Sequence, residues 1–144
     1  MKPSIAITLK YHHDHIEDSV VIFSCEKCLI YLVAEEKQYP AAFVKLEFEG
    51  VQCVRSARTD CSPAIGIYPK ESGASFIVEL TESKWPMEAH KSYVYAGSQI
   101  KPRGHHYIVT NHDIFHEILA DSFNESLVQQ GGNEYDFIKS QFVV

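Results

Sequence analysis

Residues 104–123 read GHHYIVTNHDIFHEILADSF and hold four of the eight histidines of the 144-residue chain. Two structures compete for them. As a helix over 111–123, Thr110 would cap and Asp113 would sit at the third position. His112 and His116 would then share one face at i and i+4, a spacing that paired metal ligands use. The zinc-protease pattern requires Glu directly after the first His. Position 113 is Asp, and His116-Glu117 is followed by Ile118, Leu119 and Ala120, so the pattern fails. As a hairpin, Asn111-His112-Asp113 makes the turn and HHYIVT and IFHEILADSF form the arms, both rich in strand-favouring residues. A three-residue loop would set Ile108 opposite His116 and His106 opposite Ile118. His106 and His116 would then lie diagonally on one face, with Ile108, Ile114, Ile118 and Ala120. The hairpin is the favoured reading, with the histidines hydrogen-bonded as structure.

Outward from this stretch the dominant signal is period-two alternation. Ile5, Ile7, Leu9 and Tyr11 alternate with smaller or polar residues, and Phe43, Lys45, Glu47 and Glu49 oppose Val44, Leu46 and Phe48 up to Gly50, a candidate bulge or bend. The runs 20–23 and 29–33 are β-branched and aromatic, with Glu26-Lys27 as a tight turn; a helix over 20–36 is the rival. Further strands are expected at 64–68, 75–80 and 93–97. The segment around Trp85-Pro86 reads as irregular. A short helix is expected at 125–130, stopped by Gly131-Gly132, and a last strand at 137–144. Strands recurring at this spacing predict a mainly β fold. It would be an antiparallel sandwich or partly closed barrel with meander hairpins, at most one or two short helices, and a single globular domain over 1–144.

Composition narrows the partners. No run reaches the ~18 apolar residues of a membrane span, and MKPSIAITLKYHHDH has no apolar core of a leader sequence. Four cysteines without a sign of export are expected to be thiols in a reducing cytoplasm. Cys25 and Cys28 have CxxC spacing but no second such pair; a conditional disulfide across the turn is possible, and buried thiols are the favoured alternative. Net charge is −6, and residues 113–144 carry six carboxylates against Lys139 alone. Such an acidic end repels phosphate backbones, which argues against nucleic acid, and would suit a basic protein. His12-His13-Asp14-His15 reads as a solvated loop. Arg55, Arg58, Lys101 and Arg103 read as solvated cations. There is no P-loop, dinucleotide fingerprint or nucleophile elbow.

Together SKWP (83–86), HHYIV (105–109), Asp113, FHEILADSF (115–123) and the preceding EFEGV (47–51) resemble small bacterial β-rich proteins, some of which are immunity partners of secreted toxins. The resemblance implies a hairpin and a binding role, and it carries over no catalytic residues. The expectation is therefore a non-enzymatic, cytoplasmic protein-binding domain, immunity-type or self-associating. Its candidate contacts are Trp85, Tyr93, Tyr95, Asp121, Glu125 and Glu134, and no cofactor is expected. The alternative is a metal-binding module or metal-dependent enzyme, with zinc the candidate ion, using His106, His112 or His116.

Overall fold

A computed structural model describes residues 3–14, 17–58, 75–93, 102–111 and 114–142. Among the described residues nine strands form two antiparallel sheets. One sheet contains β1 (Ser4–Thr8), β5 (Cys53–Arg58), β6 (Phe76–Leu80), β7 (His105–Asn111) and β8 (Ile114–Ala120), in the order β1-β6-β7-β8-β5. The other contains β2 (Ser19–Ser24), β3 (Lys27–Val33), β4 (Ala42–Glu49) and β9 (Ser122–Gln129), in the order β2-β3-β4-β9. Two helices, α1 (Trp85–Tyr93) and α2 (Asn133–Gln141), complete it. The expected mainly β sandwich with two short helices is what forms, and the described strands do not close into a barrel. No described helix is long and apolar enough to cross a membrane.

Alternation explains the core. Ile30 and Leu32 of β3 and Val44, Leu46 and Phe48 of β4 point inward against Ile77, Tyr107, Val109 and Ile118 of the facing sheet. All but Tyr107 are at most 1% exposed. At about 25 cal/mol per Å² of apolar surface, this layer is the main stabilising term. Phe48, Tyr107 and Phe123 meet with ring centroids 5.4–5.6 Å apart.

Several expectations need correction. The segment expected as a helix at 125–130 is instead strand β9 through Gln129, with Gln130 in the turn that follows, because β4 offers an open backbone edge along Ala42–Glu49. Phe123 and Leu127 then pack on the core while Glu125, on the same side, reaches the Lys10 and Tyr11 amides. The expected strand at 137–144 is largely α2. Tyr135, Ile138 and Phe142, spaced three and four apart, cover Tyr31, Phe43 and Val128 on the outer face of the four-stranded sheet. Trp85-Pro86 starts α1 rather than interrupting the chain, since proline lacks only an N–H that the first helical turn leaves unbonded. The turn after β2 is Cys25-Glu26, one residue earlier than expected, with Cys25 left-handed at φ 57°. His13 is not solvated but 4% exposed, bridged to Ala34 beside Ser75. The expected strand at 64–68 lies outside the described residues, as does 93–97 beyond Tyr93, where α1 ends.

The chain changes sheets between β1 and β2 and again at two adjacent corners. Gly50 (φ 63°) turns it from β4 toward β5, and Asp121 turns it from β8 into β9, with the Asp121 N–H donating to Glu49 O at 2.9 Å. A Cβ on Gly50 would collide with the Asp121 carboxylate.

Candidate functional site

The hairpin at 105–120 exists, but its loop has two residues, 112 and 113, rather than three. Asn111 pairs with Ile114, Val109 with His116 and His106 with Leu119. This one-residue difference sends alternate side chains to the opposite face. His106 and His116 therefore do not share a face. His106 and Glu117 lie on the outer face, and His116 points between the sheets with Val109 and Ile118.

His116 is a clamp. Its Nδ1 lies 2.6 Å from Ser56 Oγ on the neighbouring β5, and its Nε2 lies 2.8 Å from Ser19 Oγ on β2 of the other sheet. Burial disfavours the charged ring and pushes its pKa down to about 4. Neutral imidazole offers one donor and one acceptor, which match two hydroxyls.

On the outer face β8 pairs with β5 so that Arg55 lies beside Glu117. Arg55 Nε donates to Glu117 Oε2 at 2.6 Å and Nη2 to Oε1 at 3.2 Å. His106 Nε2 approaches Oε1 at 2.7 Å from the other side. Glu117 is 3% exposed. Burial alone would raise its pKa, but the bonds from His106 and Arg55 outweigh it and hold the carboxyl at about 2. The other imidazole nitrogen, Nδ1, is 2.6 Å from Ser83 Oγ, which also accepts the Trp85 N–H at 3.1 Å. The Trp85 ring lies 4.7 Å from the His106 ring, with the Arg55 guanidinium 4.3 Å from its centre. Ser83, Trp85 and His106 line a cleft of about 340 Å³ with Leu80, Lys84 and Glu88.

A second feature is the edge of the four-stranded sheet. Among the described strands β2 pairs only with β3. Its six residues, SVVIFS, carry no charge, and Phe23 is 48% exposed. At its end a groove of about 610 Å³ is lined by Ile22, Cys25, Lys27 and Leu29, among others.

The sequence candidates fall in different places. Trp85 belongs to the cleft. Asp121 sits at the sheet corner with Arg103 at 3.9 Å. Glu125 accepts the Lys10 and Tyr11 amides at 2.8 and 3.2 Å. Glu134 takes Lys45 Nζ at 2.7 Å and the Tyr31 hydroxyl at 2.8 Å, and the Lys45 bond leads in holding its carboxyl below the ordinary value. Tyr95, His112 and the Tyr93 side chain lie outside the description. Among the described residues no three His, Cys, Asp or Glu side chains converge as a metal set. Cys25 is exposed and Cys28 is buried in the core, both as free thiols. Burial pushes the Cys28 thiol up to about 12.

Ser83 was not singled out by the sequence, and Arg55 and Glu117 were counted only as surface charges. None of the three gives a local signal: Arg55 and Glu117 meet only by pairing across neighbouring strands, and Ser83 precedes a helix read as irregular. No family model, curated protein or solved structure matches this chain.

Proposed function

We propose that this chain is a protein-binding domain that associates through strand β2, and that its partner there is a second copy of the same chain. The observation that carries this is an uncharged, proline-free edge of six residues with an exposed phenylalanine. Sheet edges in monomeric proteins are commonly blunted by charge, proline or bulges, because unpaired N–H and C=O groups recruit strands. The neighbouring edge β5 has Arg55 and Arg58, and β9 has Glu125. Strand β1 is also uncharged, but the amides just past it, of Lys10 and Tyr11, are taken by Glu125. An antiparallel β2–β2 pair about a two-fold axis is self-complementary. With the axis at Val21, Val20 faces Ile22 of the other copy and Ser19 faces Phe23, so like faces stay together.

Sedimentation analysis of the full chain tests this. A dimer is expected that Phe23→Lys converts to monomer, since a lysine at an exposed edge position opposes pairing without touching the core. A wild-type monomer at the highest soluble concentration would overturn the proposal. So would a dimer broken by Ile5→Lys on β1 but not by Phe23→Lys. A wild-type monomer that instead binds a different protein through the same edge would turn the reading toward the immunity-type partner that the sequence resemblance implies.

A further inference from the structure

We infer that Ser83, His106 and Glu117 form a nucleophilic catalytic site in the cleft beside α1, suited to short acyl esters. Ser83 from the connection before α1, His106 from β7 and Glu117 from β8 meet in sequence: Ser83 Oγ is 2.6 Å from His106 Nδ1, and His106 Nε2 is 2.7 Å from Glu117 Oε1. The carboxylate only accepts, so Nε2 carries a proton, and in the neutral ring Nδ1 presents its lone pair to Ser83. Ser83 is then the donor in that bond, while its oxygen accepts the Trp85 N–H. A hydroxyl donating to an imidazole that in turn donates to a carboxylate is the arrangement that activates a serine nucleophile; roles and geometry define it, not chain order.

The surroundings fit this use. His106 and Glu117 are 3% exposed, so the base and its orienting group are shielded from water, whereas Ser83 is half-buried and lines the cleft. Arg55 fixes both oxygens of Glu117, and the Trp85 ring against His106 limits the imidazole to one orientation. At about 340 Å³ the cleft admits a short acyl group rather than a chain, with Leu80 and Trp85 as apolar wall, Arg55 and Lys84 as cations and Glu82 and Glu88 as carboxylates at its rim.

The step balances without a cofactor. Ser83 Oγ adds to the ester carbonyl carbon while its proton passes to His106 Nδ1. The tetrahedral adduct collapses, and His106 returns that proton to the departing alkoxide, giving an alcohol and acyl-Ser83. Water then adds to the acyl carbon while its proton passes to His106 Nδ1, and as the bond to Ser83 Oγ breaks His106 returns that proton to Oγ, restoring the hydroxyl and releasing the carboxylic acid. This inference is independent of the β2 edge, which lies on the other sheet.

The test is covalent labelling of the folded full chain by an alkyl fluorophosphonate. Ser83 would attack phosphorus and fluoride would leave. One phosphonyl adduct per chain is expected, mapped by peptide mass to Ser83 and absent from Ser83→Ala. Glu117→Gln, checked for fold by far-ultraviolet circular dichroism, is expected to slow labelling about 100-fold or more. The Ser83 mapping decides if that variant does not fold. No adduct at Ser83 overturns the proposal. An adduct that forms equally fast in folded Glu117→Gln overturns it too, since Ser83 would then be merely exposed and not activated.

Discussion

Replacing Glu117 by Gln isolates the charge at the centre of the outer-face network. The ordinary carboxylate value is 4.5 and Glu117 is held at about 2. At about 1.4 kcal/mol for each tenfold change in an equilibrium, that gap corresponds to about 3 kcal/mol of stability at neutral pH. The folded-state pKa is depressed, so the contribution is fully present above about 4.5 and is lost as pH falls through about 2. Glutamine keeps an oxygen for one donor, and the half-exposed Arg55 can turn to water, so the variant should lose about 2–3 kcal/mol rather than the larger cost of a stranded buried charge. Denaturant titrations of both proteins at steps from neutral pH down to the acid limit measure the difference directly. Subtracting the variant removes every other carboxylate from the comparison. The difference should shrink toward zero across the window from about 4.5 to about 2. A difference that stays constant with pH would refute the reasoning, because the stabilisation would then be packing rather than ionisation.

His116 titrates in the preceding window. Its folded-state pKa lies at about 4, below the ordinary 6.5, so the wild type should lose up to about 3 kcal/mol as pH falls from 6.5 toward 4. His116→Gln keeps a donor and an acceptor for Ser19 and Ser56 and should remove that loss. An imidazole resonance titrating near the ordinary value would contradict this. Gly50→Ala imposes both a left-handed backbone on a residue with a Cβ and a collision with Asp121, and should cost about 1–3 kcal/mol, lowering the melting temperature. Adding Asp121→Ala should recover only the collision part; full recovery would show that the backbone angle is not strained.

Much of the fold was legible because a half-buried sheet leaves a period of two in the sequence. Val44, Leu46 and Phe48 against Lys45, Glu47 and Glu49 identify β4 without any other information. What failed were features set by contacts distant in the chain. NESLVQ has a helical look on its own, yet the open edge of β4 makes it a strand. Tyr135, Ile138 and Phe142 have helical spacing that a strand reading overlooked. The turn length at 112–113 is a matter of one residue, and local preferences for Asn and Asp do not distinguish two from three. The candidate site depended on that residue. With the wrong loop His106 pairs with His116 and suggests a metal; with the right one it meets Glu117, and Ser83 joins it from a helix start 23 residues earlier. Arg55 and Glu117 looked like solvated charges, since nothing local signals that two ions lie across a strand pair.

His116 and Glu117 are neighbours in the chain with opposite duties, one neutral between the sheets and one ionised on the outside. This makes β8 intolerant of a particular kind of evolutionary change. Single substitutions along it leave the alternation of faces in place. A single-codon insertion or deletion between Ile114 and His116, with the pairing of Ile114 to Asn111 kept, would exchange the two faces. It would drive a carboxylate into the apolar layer against Val109 and take the clamp from Ser19 and Ser56. Among descendants of this chain, length variation inside β8 should therefore come in pairs of residues or not at all.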